Sequence, residues 1–252
     1  MVIVHGYAEH TGRYDEMAMY FAERNFVVRA YDQAGHGRTA GPRGHVDRFD
    51  RLVDDLDEFL KRLGRDYPGL PVALVGHSMG GLVVAATAAF RKPAVEQVVL
   101  SGASLQLGSK DYGWRQRLSL SVARILSLVA PRFPISMGLD SHGLSRDPEV
   151  IRRYEEDPLV KDRMSVRFAS GLGQMIQTIR DAAGEIDRPI MILHGAEDPI
   201  CAADGSRRFF AGLSSQIAAQ SVLKIYPELR HEIFQETERQ LIWQDMLRFI
   251  ER

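Results

Sequence analysis

Val72-Ala-Leu-Val-Gly-His-Ser-Met-Gly-Gly-Leu-Val-Val-Ala-Ala-Thr-Ala-Ala-Phe90 reads as a buried strand, a serine flanked by glycines, and a helix. The apolar run Val72–Val75 follows Leu70-Pro71, and the Ala/Val-rich stretch from Met79 stops near Arg91-Lys92-Pro93. Strand, turn and helix therefore fall in the order that a nucleophile elbow needs. On such a turn the serine backbone is strained, and a side chain two residues before or after it would strike the neighbouring strand and helix. Gly76 and Gly80 meet that steric demand. The turn aims the Ser78 hydroxyl out at the top of a sheet. It also sets the Met79 N–H at a helix N-terminus, where partial positive charge stabilises an oxyanion. G-x-S-x-G is a short motif, and its place between a strand and a helix is what gives it weight.

Outward from this stretch, short β-branched runs alternate with amphipathic ones: Val2–His5 then Tyr14–Arg24, Phe26–Tyr31 then Phe49–Asp66, and Val72–Val75 then Met79–Arg91. Val95–Leu100, Ile190–His194, Asp204–Leu213, Val222–Tyr226 and Ile233–Ile250 continue the series. Phe49, Leu52, Val53, Leu56, Phe59, Leu60 and Leu63 recur at helical spacing, so that segment packs one face on a sheet. The alternation predicts an α/β fold with a mostly parallel sheet covered by helices on both faces. In such sheets ligands bind beyond the carboxyl ends of the strands, where Ser78 would sit. Residues 105–185 break the pattern, with no good strand but helical spacing at Leu118/Val122/Ile125/Leu126/Val129 and over Met164–Ile179. The expectation is a core of residues 1–104 and 186–252, with residues 105–185 inserted as a helical cap. Such a cap would roof Ser78 and turn an apolar underside into a pocket wall.

Composition narrows the class of partner. A chain of 252 residues with 45% apolar and 26% charged content suits one large domain with an insertion. Its 32 basic and 33 acidic residues are spread along the chain for a net charge of −1, which leaves no footprint for nucleic acid and no polybasic lipid anchor. Small neutral or amphipathic partners are favoured. The single cysteine, Cys201, excludes an internal disulfide and a thiolate metal site, and no charged segment followed by an apolar one opens the chain. A reducing, cytoplasmic setting is expected. The most apolar helical stretch, Leu118–Val129, is interrupted by Arg124 and serines, so membrane contact is expected to be peripheral and through the cap.

A serine hydroxyl is a poor nucleophile at neutral pH. It needs an imidazole to take its proton and a carboxylate to hold that imidazole in the right tautomer. In folds with this elbow the acid and base follow the serine in that order, each in a loop after a later strand. Ile190-Met-Ile-Leu-His-Gly-Ala-Glu-Asp-Pro199 supplies a strand and then Asp198, and Val222-Leu-Lys-Ile-Tyr-Pro-Glu-Leu-Arg-His231 supplies the next strand and then His231. Glu197 is the alternative acid, but Pro199 fixes the turn on the Asp198 side. His5, His36, His77, His142 and His194 sit in turns or at strand ends, where imidazoles commonly bond to backbone. No histidine pair has metal-ligand spacing with a supporting carboxylate, so no metal and no cofactor are expected. His5-Gly6-Tyr7 is a sharp exit from the first strand and offers the Tyr7 N–H as the second oxyanion donor beside Met79. A Gly6 that merely turns the chain is compatible with this.

Taken together, His5-Gly-Tyr-Ala-Glu-His-Thr-Gly-Arg-Tyr14, Asp32-Gln-Ala-Gly-His-Gly37, Gly76-His-Ser-Met-Gly-Gly81, His194-Gly-Ala-Glu-Asp198 and Lys224-Ile-Tyr-Pro-Glu-Leu-Arg-His231 resemble the monoacylglycerol lipase family of α/β-hydrolases. The resemblance runs over nearly the whole chain. It extends into the insertion, where Leu139-Asp-Ser-His-Gly-Leu-Ser-Arg-Asp-Pro148 and Tyr154-Glu-Glu-Asp-Pro-Leu159 look like that family's cap. It implies a serine hydrolase acting on a lipid ester, with Ser78, Asp198 and His231 as triad and Tyr7 and Met79 as oxyanion donors. It also implies that Glu9, Arg13 and Tyr154 surround the alcohol portion while the cap lines an acyl tunnel. The spacing of Glu9 and Arg13 equally suits an ion pair at a helix start. Cys201 is expected near the site in a packing role.

Two departures from the family pattern stand out. Relatives usually carry a further strand pair before the strand that opens this chain, so the N-terminal strand pair appears missing and Phe26–Tyr31 becomes an exposed apolar edge. Dimerisation or marginal solubility is then expected. Phe234 stands where some relatives have a histidine, which predicts a less polar alcohol end. A general carboxylesterase, a lysophospholipase or an amidase shares the same chemistry, and a non-catalytic binder of the same fold is the alternative from another class. Ser78 excludes an epoxide hydrolase or dehalogenase, which need a carboxylate at the elbow.

Overall fold

The β-branched runs become strands that lie side by side. In the computed structural model, which describes residues 1–108 and 126–252, the strands are β1 (Val2–Val4), β2 (Arg29–Ala30), β3 (Ala73–His77), β4 (Gln97–Ser101), β5 (Pro134–Ser136), β6 (Arg163–Ser165), β7 (Ile190–Gly195) and β8 (Val222–Tyr226). Six of them form one sheet in the order β2-β1-β3-β4-β7-β8, with every neighbour parallel. The helices are α1 (Asp15–Ala22), α2 (Asp50–Asp66), α3 (Met79–Phe90), α4 (Pro148–Glu156), α5 (Val166–Asp181), α6 (Ala203–Ala211), α7 (Ser215–Ala218) and α8 (Arg239–Ile250).

Successive strand side chains point to opposite faces, and the core divides accordingly. Val2, Val4, Leu74, Val98, Leu100, Ile190 and Ile192 pack with α2, α3 and α5 on one face. Ile3, Val75, Val99, Met191 and Leu193 pack with α1 and α8 on the other. Both faces are thus apolar, which is why these strands read as near-continuous hydrophobic runs. The carboxyl ends of β3, β7 and β8 lie on one edge of the sheet, so the loops that follow them meet there.

Several elements differ from the sequence reading. Residues 105–185 do contain strands, because β5 and β6 pair antiparallel with Pro134 opposite Ser165 and Ser136 opposite Arg163. Strands of three residues are too short to show a period. The Ser165 N–H donates to the Gly44 carbonyl at 2.8 Å, tying β6 to a loop of the core. The pattern over Met164–Ile179 becomes α5, which begins after Ser165 because the Ser165 hydroxyl accepts the Phe168 N–H and caps it. The helix expected from Leu118 falls largely on residues 109–125, outside the described residues.

Phe26–Tyr31 contracts to β2, because Phe26 turns back onto α1 with its ring 5.5 Å from that of Phe21. The exposed residues of this segment are Val27, Arg29 and Ala30, and the Arg29 guanidinium lies over the Tyr67 ring, so the edge is part apolar and part charged. The single helix expected over Ile233–Ile250 splits into a short 3-10 turn, Ile233–Gln235, and α8. Between them Glu236 is fully buried, and its carboxylate accepts the N–H groups of Arg146 and Arg230 and the Ser145 hydroxyl. A buried carboxylate requires such partners, and meeting them holds the chain extended there. Among the described residues no helix is long and apolar enough to cross a membrane.

Candidate active site

Ser78 stands alone between the end of β3 and the start of α3, with φ 52° and ψ −120°. A non-glycine residue in this region is strained and persists only where its surroundings over-determine it. They do so here. A Cβ on Gly76 would come within 2.5 Å of the Gly80 carbonyl oxygen, and one on Gly80 within 2.2 Å of the Val4 carbonyl oxygen. The turn is therefore pressed against β1.

Ser78 is brought together with His231 and Asp198, which come from the loops after β8 and β7. The Ser78 hydroxyl donates to His231 Nε2 at 2.8 Å, and His231 Nδ1–H donates to Asp198 Oδ2 at 2.7 Å. All three residues are buried. Asp198 Oδ1 accepts the N–H groups of Ile200 and Cys201, and His194 Nε2 lies 3.0 Å from Oδ2. Burial alone would raise the Asp198 pKa, but the adjoining imidazoles outweigh it and hold the carboxyl well below the usual carboxylate range. For His231, burial pulls downward while the charge and hydrogen bond of Asp198, with Glu232 and Glu9 beyond, leave its pKa above the ordinary 6.5.

The turn after β1 abuts the serine, since a Cβ on Gly6 would lie 3.0 Å from Ser78 Cβ. This brings the Gly6–Tyr7 turn against Ser78, and Met79 opens α3 directly after it. Among the described residues neither the Tyr7 N–H nor the Met79 N–H is engaged by a backbone carbonyl. Glu9 holds the Gly6–Tyr7 turn. Its Oε1 accepts the Gly6 N–H and, at 2.7 Å, the Tyr14 hydroxyl, while Oε2 accepts from Arg13 at 3.1 Å. Arg13 donates its two other bonds to both oxygens of Glu232, at 2.5 and 2.7 Å, and its guanidinium lies 4.9 Å over the Tyr154 ring. Burial, aided by the Glu232 charge, raises the Glu9 pKa against the pull of Arg13.

Above Ser78 opens a cavity of about 520 Å³, counting its mouth. Leu107, Met137, Leu139, Leu144 and Leu172 give it apolar walls, and Glu9, Tyr154 and Glu232 one polar end. Glu9 and Tyr154 thus reach the cavity. Arg13 does not line it and lies behind them. Phe234 also stays out, packing in the core with its ring 6.2 Å from that of His77. The polar group expected to be lost there is supplied one residue after the imidazole by Glu232, which the sequence reading missed. The only sequence sign of it was an acidic residue adjoining His231. Ser104 was missed as well, and its hydroxyl lies 3.5 Å from both Ser78 Oγ and Cys201 Sγ. Cys201 is buried, and burial pushes its thiol pKa up. Among the described residues no three His, Cys, Asp or Glu side chains group to hold a metal ion.

A parallel sheet covered on both faces, a strained serine at the carboxyl end of a central strand, and an imidazole and a carboxylate from later loops define the α/β-hydrolase class. The chain matches the family described as serine aminopeptidase, S33, over residues 1–238. It is 34% identical to a monoacylglycerol lipase of Mycolicibacterium smegmatis over 99% of this chain and 87% of that one. It is 33% identical to the human monoglyceride lipase over 93% of this chain and 75% of that one. The crystal structure of Paleococcus ferrophilus monoacylglycerol lipase superposes with a TM-score of 0.88 at 30% identity, covering 99% of this chain and 92% of that one. The protein belongs to the monoacylglycerol lipase family of the α/β-hydrolases.

Proposed function

We propose that this protein hydrolyses monoacylglycerols to free fatty acid and glycerol through an acyl-serine intermediate. The observation that carries this is the hydrogen-bonded series Ser78–His231–Asp198 at the floor of a cavity that is apolar along its walls and polar at one end. As the ester carbonyl approaches, His231 Nε2 takes the Ser78 proton and Oγ bonds to the carbonyl carbon. The Tyr7 and Met79 N–H groups hold the oxyanion. Collapse of the tetrahedral species breaks the bond to the alcohol oxygen, which leaves with the proton from His231. A water that gives its proton to the same imidazole then attacks the acyl carbon, and collapse breaks the bond to Ser78 Oγ, which takes the proton back from His231 as the acid leaves. Asp198 stays charged throughout and keeps Nδ1 protonated. Arg13 acts through Glu9, Glu232 and Tyr154, as a positioning residue behind the polar end.

Residues 105–185 serve as the cap in this reading, and exposed Leu128, Val129 and Phe133 support transfer of substrate from a lipid surface. A reducing compartment suits the single buried cysteine. The test is release of fatty acid from 1-monoacylglycerols set against lysophosphatidylcholine and an aminoacyl amide. Faster cleavage of either rival substrate would reject the assignment.

The chemistry has a definite pH dependence. Only neutral His231 can accept the serine proton, and its raised pKa keeps it protonated to higher pH than a free imidazole. Rate therefore falls as pH drops through that raised value. The acid limb of kcat/KM is expected to be centred above 6.5, and to move down, with much reduced rate, in Asp198→Asn. A wild-type limb centred below 6.5 would contradict the electrostatics.

A further inference from the structure

Asp198 Oδ2 faces two imidazoles, and the reaction uses only one of them. His231 Nδ1–H donates to it at 2.7 Å, and His194 Nε2 lies 3.0 Å from the same oxygen. His194 stands near the end of β7 and is fully buried. Its Nε2 is also 2.9 Å from the Cys201 carbonyl oxygen, so this nitrogen meets acceptors on both sides and carries a hydrogen. In that tautomer Nδ1 accepts the hydroxyl of Ser206, 2.7 Å away on α6 and equally buried. The ring is thus fixed at both nitrogens. Asp198 does not need His194 to stay in place, because its Oδ1 is already held by the N–H groups of Ile200 and Cys201. What His194 adds is a second N–H at the oxygen on which His231 depends.

We propose that His194 is a positioning residue acting through Asp198, which shares Oδ2 with His231 and so moderates the hold of the carboxylate on a protonated His231. This rests on Ser78 acting with His231 and Asp198, and it adds a fourth side chain to that assembly. A hydrogen bond donated to a carboxylate stabilises its charge and leaves less of it for a neighbouring cation. His231 is thereby kept available as a base at lower pH than with Asp198 alone. Among the described residues the other titratable and charged groups around the two imidazoles are His77 at the end of β3, Glu9 after β1, Glu232 with its partner Arg13, and the Cys201 thiol. The charged side chains of α6 are exposed. None of these is altered by removing the His194 ring.

The experiment is the pH profile of kcat/KM for a short-chain p-nitrophenyl ester in wild type, His194→Val, His194→Gln and Ser206→Ala. That leaving group needs no proton from His231, so the acid limb reports the imidazole as base. His194→Val suits a strand and removes the donor. Its acid limb is expected to rise by about one pH unit, so that well below the limb kcat/KM falls about tenfold relative to the plateau. His194→Gln, whose carboxamide N–H reaches about where Nε2 stands, is expected to restore the wild-type limb. Ser206→Ala disturbs the same packing but leaves Nε2–H on its acceptors, and its limb is expected to hold. An unmoved limb in His194→Val overturns the proposal. So does a downward one, the direction expected of Asp198→Asn, which would mean that His194 merely keeps Asp198 in place. A rise in His194→Gln or Ser206→Ala as large as in His194→Val assigns the effect to packing and overturns it too. Wild-type turnover of the p-nitrophenyl ester tests the Ser78 chemistry by itself, so its failure is distinguishable from failure of the role given to His194.

Discussion

Ser78→Ala is expected to lower monoacylglycerol turnover by about 10⁴- to 10⁶-fold and to leave the fold intact, the scale on which a nucleophile acting within a triad fails. The fold should survive because alanine meets the same backbone penalty as serine at φ 52° and loses only the hydroxyl bonded to His231. Rate measurement with and without a fluorophosphonate, which should label wild type and not the variant, checks both halves. A variant that keeps near-normal turnover would move the nucleophile elsewhere. Ser78→Gly separates chemistry from strain. It should be as inactive as Ser78→Ala and more stable by about 1 kcal/mol, since glycine tolerates positive φ.

Gly80→Ala is the second large effect, and it falls on stability. The added Cβ would stand 2.2 Å from the Val4 carbonyl oxygen and 2.3 Å from that of His5, both backbone atoms of the strand and turn that carry the Tyr7 N–H. Neither can move without shifting β1 against α3, so a cost of about 3 kcal/mol or more is expected, above the usual range for overpacking a core with a flexible side chain. Against a total stability of order 5–15 kcal/mol this is a large fraction. Urea titration measures it. Gly64→Ala in α2 is the matching control, because a Cβ there meets nothing within 4 Å and should gain up to about 1 kcal/mol of helix propensity. If Gly80→Ala unfolds at the same urea concentration as wild type, the elbow is not pressed against β1.

The two variants rest on features of very different legibility. The elbow could be read because each of its requirements is local: an apolar run, small residues two before and two after the serine, and an apolar helix. The strands around it could be read because both faces of a parallel sheet are buried, so Val98-Val99-Leu100 is apolar throughout. Short elements were illegible for the opposite reason. β5 and β6 have three residues each and are set by pairing with one another and by the Ser165–Gly44 bond, which no window of sequence contains. The break before α8 is likewise decided at a distance, by Ser145, Arg146 and Arg230 converging on the Glu236 carboxylate.

The amino-acid sequence by itself determined the α/β class, the order of the main strands and helices, and the candidates Ser78, Asp198 and His231, because periodicity and chain order are properties of the chain read one residue after another. Only the tertiary structure decided what those side chains touch. It drew Arg13 behind the cavity and onto Glu232, and sent Phe234 into the core against His77. The physical reason is range: hydrogen bonds and ion pairs act over a few ångströms between residues more than two hundred positions apart, as Arg13 and Glu232 are, and folding alone sets that distance.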